Sequence, residues 1–322
     1  MWPFEKKPTE LICSWPIVRA RPNGKHRGKS LSVFINNGQC HLTTVDAYSD
    51  GAIDAWGFLD FNLFEKKLEA RWVVTRPKTD QSISVHNFGA TNAKDATWAL
   101  SEDHIRSAVL ETIRSLNPEM KNLVDMQGSA TEMRGKGHYA KMGMSDQKPY
   151  RSGADGAEEV LGNCIPTLVH DNDHYELTQL FIFSDAQSRI GATGALLPME
   201  EALSLYDTGK LTNLAPAGAR VQIVGLGEFT CMDDFGGVSS EERKKEVRDL
   251  LKTLNGQDGC VRVCVSIFRE YEASPSEQGR AALRTAYEAV PKHLRPYCGD
   301  MDTKDWKIKR VLYLDQFARK DE

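Results

Sequence analysis

Two stretches of the chain line up at one fixed offset. SISVHNFG at 82–89 falls on RVQIVGLG at 220–227, 138 residues further on, and Gly89 meets Gly227. Without a gap, the same offset sets Asp95 on Asp233, Ser101 on Ser239, Val109 on Val247, and Leu116-Asn117 on Leu254-Asn255. Conservative pairs lie between them, such as Arg106 with Lys244 and Ile113 with Leu251. Two amphipathic helices resemble each other by chance, but chance does not also match the strand that precedes them. A fixed-offset repeat constrains architecture strongly, because both copies must fold as one kind of unit.

The unit reads as strand, loop, helix. SISVHNF alternates at period two, as a half-buried strand does. Ser101 and Ser239 stand where helix N-caps are expected, and Glu242 completes a capping box with Ser239. Ile105, Val109, Thr112 and Leu116 fall on one face of the first helix, and Val247, Leu250, Leu251 and Leu254 on one face of the second. Upstream strands are predicted in SLSVFIN, CHLTTVDAY, AIDAWGFLDF and ARWVVT, and in IPTLVH and YELTQLFIF around an Asp-Asn-Asp turn. LPMEEALSLYDTG reads as helical. Beyond the second copy, GCVRVCVSIFREYE reads as a strand, SEQGRAALRTAYEAV as a helix and WKIKRVLYLDQF as a final strand. The expected fold is α+β: two related domains, diverged tandem copies, each a mainly antiparallel sheet covered by helices. The expected boundaries are 1–125, a linker or arm over 126–159, and 160–322 with a strand-helix-strand extension.

Composition limits the function classes. The 322 residues hold 41 Lys+Arg against 45 Asp+Glu, a net charge of -4, which argues against a generic nucleic-acid coat. No apolar run approaches the ~20 residues of a membrane span. MWPFEKKPTELICSW has no apolar signal core, so a cytoplasmic protein without a membrane partner is expected. Seven widely spread cysteines suit reduced thiols better than a disulfide framework.

No motif carries a strong catalytic signature. His170-x3-His174 has metal-like spacing, and with Asp171 or Asp173 it offers a metal-dependent hydrolase as an alternative reading. The Asp-Asn-Asp turn between the histidines instead places each at a strand end. VGLGEF lacks the third glycine and the immediate helix of a dinucleotide loop. Cys40 and His41 are strand neighbours and point apart. Cys231 lies by Asp233 and Asp234, a setting that raises a thiol pKa. No cofactor and no catalytic set are expected.

Acidic residues interleaved with aromatics recur in three places. Asp46, Asp50, Asp54 and Asp60 surround Tyr48, Trp56 and Phe58; Asp233 and Asp234 precede Phe235; Asp300, Asp302 and Asp305 sit between Tyr297 and Trp306. Carboxylates beside rigid aromatic anchors suit a protein interface toward a basic partner. Asp50, Asp54, Trp56, Asp233, Asp234, Asp300, Asp302, Asp305 and Trp306 are therefore the candidate partner-binding residues. Arg19, Arg21, Lys25, Arg27 and Lys29 form a basic run read as an exposed loop.

AYSDGAIDAWGFLDF with the RWVV that follows, and AVPKHLRPYCGDMDTKDWKIKRVLY, resemble segments of bacterial proteins with two related domains. Those proteins look like immunity proteins encoded beside secreted antibacterial toxins, type VI secretion nuclease effectors among them. The resemblance covers most of 30–120 and 160–315. It implies a cytoplasmic inhibitor that blocks a cognate toxin, a basic nuclease domain, by stoichiometric contact. Structural adaptor remains the other alternative.

Overall fold

The computed structural model describes residues 12–313, except 22–23, 126–146, 154–155, 157, 173 and 301. The chain is mixed α+β and divides into two compact units, Met1–Gly237 and Val238–Glu322. This division does not follow the expected boundaries at 125 and 160. Most of the expected linker, 126–146, lies outside the described residues, and its C-terminal end is a strand.

Ten of the strands among the described residues of the first unit form its main ladder: β1 (Ser14–Arg21), β2 (Gly24–Asn37), β3 (Gln39–Tyr48), β4 (Ser82–Val85), β5 (Gly89–Trp98), β6 (Lys148–Ser152), β7 (Glu159–Asp171), β8 (His174–Phe183), β9 (Arg220–Ile223) and β10 (Gly227–Cys231). Their pairings run β1-β2-β3-β4-β5-β10-β9-β8-β7-β6 and return to β1, so the ladder closes into a ring. A closed ring leaves these strands no free edge. Among the described residues, only β3 with β4 and β8 with β9 run parallel. The two expected sheets are thus one, shared by both halves. Two antiparallel seams join them. Ala93 pairs with Cys231, 138 residues on, and Ile17 pairs with Pro149.

The register sorts the side chains. Ser30, Phe34, Leu42, Asp46 and Tyr48 share one face of β2 and β3, and Leu31, Val33 and Val45 share the other. The second face shares a core with Ile105, Val109 and Ile113 of helix α2 (Glu102–Leu116). Ser101 caps that helix, accepting from His104 N–H at 3.4 Å, while His104 Nδ1 accepts from Ser101 N–H at 3.0 Å. A cap of this kind contributes about 1 kcal/mol. Helix α1 (Phe61–Glu69), capped by Asp60, precedes it, and α3 (Met199–Ser204) forms within the segment read as helical.

Two glycines hold corresponding places against aromatic rings. A Cβ at Gly28 would lie 2.5 Å from the Ala47 carbonyl and 2.8 Å from the Tyr48 ring; at Gly162 it would lie 2.7 Å from the Ile182 carbonyl and 2.9 Å from the Phe183 ring. Overpacking against backbone costs roughly 1–3 kcal/mol. Gly28→Val is therefore expected to lower stability by about 2–3 kcal/mol. A urea midpoint equal to that of the parent protein would refute this contact.

The second unit is helical among the described residues: α4 (Ser240–Leu254), α5 (Cys260–Ala273), α6 (Glu277–Ala289), a 3-10 turn at Lys292–Cys298 and α7 (Trp306–Leu312). The strand predicted for GCVRVCVSIFREYE is a helix instead, and so is Trp306–Leu312 of WKIKRVLYLDQF, whose last four residues lie outside the described residues. Cys260, Cys264 and Phe268 recur every fourth residue and pack toward one core, as do Ile308 and Leu312. That spacing favours helix over the overlapping alternation. The Asp249 carboxylate accepts from Cys260 N–H at 2.8 Å and satisfies the first turn of α5. In α4, Ser239 accepts from Glu242 N–H as expected, but the buried positions are Arg243, Lys244, Glu246 and Val247 rather than the three leucines. Arg243 Nη1 donates to Glu246 at 2.6 Å, and His293 Nε2 lies 2.9 Å from the same carboxylate.

Candidate functional site

The described members of the basic run lie on the paired strands β1 and β2 rather than in a loop, and the first of them is buried. Arg19 alternates inward on β1 with Trp15 and Ile17 and is 5% exposed. Its Nη2 donates to Asp54 Oδ2 and to Gln147 Oε1, each at 3.0 Å. Its guanidinium carbon stands 4.6 Å from the Phe58 ring centre and 5.2 Å from that of Tyr48. Nε and Nη1 find no acceptor among the described residues, so ring faces stand in for one. Arg27 Nε, by contrast, donates to Glu159 at 2.7 Å, which joins β2 to β7.

The Asp54 carboxylate works in two directions. One oxygen holds Arg19; the other accepts from Gly57 N–H at 3.0 Å and closes a tight turn. Trp56 sits inside that turn with φ +62°, a left-handed conformation rare for a large side chain. Such strain persists only where the surroundings impose it. The turn presents the indole outward, 49% exposed. Its ring centre lies 5.0 Å from that of His41 and 6.2 Å, edge-on, from that of Trp72, and Nε1 donates to Thr43 Oγ1 at 3.4 Å. His41 Nδ1 is in turn 2.6 Å from Ser84 Oγ, and Trp72 Nε1 donates to the Ala55 carbonyl at 3.4 Å. Lys67 Nζ stands 4.4 Å above the Trp72 ring. These residues make an aromatic shelf, rigid from below and open above.

The sequence-predicted residues divide by role. Asp50, Asp54 and Trp56 share this loop, but the two carboxylates are structural. Asp50 Oδ2 lies 3.4 Å from His26 Nδ1, and its other oxygen accepts from Ala52 N–H at 3.3 Å. The neighbouring cation over Trp72 gives the shelf an aromatic and basic character rather than the acidic one expected. Asp233 and Asp234 are exposed after β10, where Asp234 accepts from Ala217 N–H at 3.0 Å. In the second unit, Asp300 accepts from Thr303 N–H and hydroxyl, which hold it below the usual carboxylate range. Asp302 and Trp306 are exposed. Asp305 is buried and accepts from the Tyr287 hydroxyl at 2.6 Å. Burial opposes its charge, but Tyr287 and Lys309 outweigh that and keep its pKa low.

The two histidines of the metal reading are turned apart, and Asp173 lies outside the described residues. His170 lies opposite Tyr175 and stacks on it at 4.5 Å, while His174, one residue away on the partner strand, points to the other face and meets Gln222 at 3.1 Å. No group of three or more His, Cys, Asp or Glu is arranged to hold a metal among the described residues. Burial pushes the Cys40 thiol up to about 11 and that of Cys231 to about 12. For Cys231 the cause is burial, not the neighbouring aspartates named from sequence. No described helix is long and apolar enough to cross a membrane.

The model of a domain of unknown function, DUF7638, matches residues 16–120 and 150–258, and that of a second, DUF7639, matches 260–320. Comparisons with curated proteins and with solved structures gave no match. The first model covers more than half of the chain, which therefore belongs to the DUF7638 family.

Proposed function

We propose that the protein is a stoichiometric inhibitor of the immunity type, which docks a cognate antibacterial toxin through the shelf of His41, Trp56 and Trp72. The observation that carries this is Trp56. A half-exposed indole held in left-handed backbone, pinned by a buried arginine-aspartate pair, has the form of an interface hot spot. A pre-organised aromatic anchor loses little entropy on binding. The resemblance of 47–61 and 289–313 to immunity proteins supplies the partner class. A nuclease domain is the proposed target, and the shelf is proposed to bind it by aromatic packing more than by charge.

The duplication belongs to the same proposal. The parallel β3–β4 and β8–β9 pairs, the matching Gly28 and Gly162 contacts, and the pairing of Ala93 with the residue 138 positions on support two diverged copies.

Co-expression with the toxin encoded beside it tests the reading. The parent protein is expected to protect the cell and to co-purify with the toxin at one to one. Trp56→Ala is expected to weaken the complex by about 30-fold or more, in line with hot-spot losses of 2 kcal/mol and above. The variant's urea midpoint should stay close to the parent's, because the indole is half in solvent. Full protection and unchanged affinity would remove the shelf from the interface.

A further inference from the structure

Within the ring lies a cavity of about 250 Å³ to which both strand sets contribute. Its apolar wall is built in pairs. In the two parallel ladders Leu42 lies beside Val85 and Leu177 beside Ile223, and all four line the space. Trp15 and Phe181, which also line it, meet edge to face at 5.4 Å.

Several polar residues of the lining are engaged with the wall itself. The Ser30 hydroxyl donates to Asp46 at 2.7 Å, Gln147 Oε1 accepts from Arg19 at 3.0 Å, and Asn163 Oδ1 accepts from Cys164 N–H at 2.8 Å. Gln179 is different. It stands between Leu177 and Phe181 on one face of β8, and all three line the cavity. Its pairing partner on β7 is Pro166, another lining residue, whose side chain has no polar atom to offer it. The Gln179 main-chain carbonyl accepts from Gly191 N–H at 2.8 Å, but among the described residues nothing hydrogen-bonds its side-chain amide. A carboxamide carries a donor and an acceptor side by side.

The lining is also uncharged. None of the described residues that form it is Asp, Glu, Lys, Arg or His. A charged guest would leave water without a counter-ion to meet it, at a large cost.

We infer that the cavity is a binding site for an uncharged molecule made of one aromatic ring and a primary carboxamide. The guest's amide pairs with the amide of Gln179 through two hydrogen bonds, and its ring lies toward Trp15 and Phe181. Gln179 and Phe181 are two residues apart on one strand face, about 7 Å, which a single ring bearing an amide spans. The volume agrees. A cavity of roughly 150 Å³ holds benzene, and this one has space for the added group, whereas sites for drug-sized ligands start at roughly 300 Å³. This inference is independent of the toxin-binding proposal, since it concerns the inside of the ring and not the shelf.

Three probes of one shape separate the chemistry: benzamide, benzoate and benzamidine, which at neutral pH are uncharged, anionic and cationic. Calorimetric titration of the full chain is expected to show benzamide binding about 10-fold or more tighter than either ion, the scale of leaving a buried polar group unpaired. Gln179→Met, which keeps the length of the side chain and removes the amide, should weaken benzamide by about the same factor. Gln179→Glu, which places one negative charge in the lining, should turn the preference from benzamide to benzamidine. The comparison of the three probes on the parent chain decides the matter even if neither variant folds. The inference is overturned if none of the probes binds, if either ion binds the parent as tightly as benzamide, or if Gln179→Met leaves benzamide affinity unchanged.

Discussion

Arg19→Met is expected to destabilise the first unit by ~3–5 kcal/mol, the range seen when one partner of a buried ion pair is removed. Methionine fills much of the space between the Tyr48 and Phe58 rings, so the loss reports charge rather than a void. What remains is the Asp54 carboxylate, 19% exposed, still accepting from Gly57 N–H but without the guanidinium that met it. Urea unfolding should show the midpoint falling with an unchanged slope. Arg19→Met with Asp54→Asn is expected to recover a large part of the loss, because the uncompensated charge is gone. If single and double variants are equally destabilised, the pair is not the anchor described. The single variant should also loosen the Asp54–Gly57 turn and weaken toxin binding, even where the protein remains folded.

The second large effect is a pH dependence set by Asp46. Burial pushes its carboxyl up to about 7, with the Ser30 hydrogen bond opposing and Asp54 adding to the rise. The unfolded chain titrates near 3.9. Between these values the folded state holds a proton that the unfolded state has released, so stability falls as pH rises from about 4 to about 7 and is flat above. A separation of about three pH units corresponds to roughly 4 kcal/mol. Glu242 and Asp305 are held below their ordinary values and act in the opposite sense. Their effect lies at and below the ordinary carboxylate range, around pH 4–5. The interval from pH 5 to 8 lies above that range, and comparison with Asp46→Asn across it singles out the contribution of Asp46. Denaturation midpoints across it should decline for the parent and stay level for Asp46→Asn. The same decline in both would mean that another group is responsible.

Much of this fold was legible in the chain. β2 and β3 form where SLSVFIN and CHLTTVDAY predict strands, Asp171 at the end of β7 pairs with His174 at the start of β8, and Ser101 and Ser239 cap the helices expected of them. What escaped had weak or double-valued patterns. β5 is GATNAKDATW, whose inward positions are the small Thr91 and Ala93, so it lacks the apolar residues that mark a strand. β10 was read as the loop after a glycine. GCVRVCVSIFREYE satisfies alternation and the four-residue spacing at once, and only the packing of Cys264 and Phe268 decides for helix. Ring closure depends on pairings such as Ile17 with Pro149, between segments far apart in the chain, which no local pattern reports.

The candidate site was legible in place but not in mechanism. The loop of Asp50, Asp54 and Trp56 was found because acids and aromatics alternate there. The acids turned out to be bound inward, and the exposed element is the indole. Arg19 was read as one of a solvated run, although WPIVRAR places Trp15, Ile17 and Arg19 on one face, and an arginine continuing an apolar face signals a buried cation. CHLTTVDAY holds the parallel clue: Leu42, Thr44, Asp46 and Tyr48 share a face, and the acid among them points into the ring.

The central claim is that the Trp56 shelf is the surface that meets the toxin, and hydroxyl-radical footprinting of the purified complex tests it most directly. Trp56 and Trp306 start with nearly equal exposure, 49% and 47%, so each serves as the control for the other. The account predicts that adding the toxin suppresses oxidation of Trp56 and Trp72 several-fold and leaves Trp306 as reactive as before. Protection of Trp306 with Trp56 unchanged, or no protection of either, would contradict it.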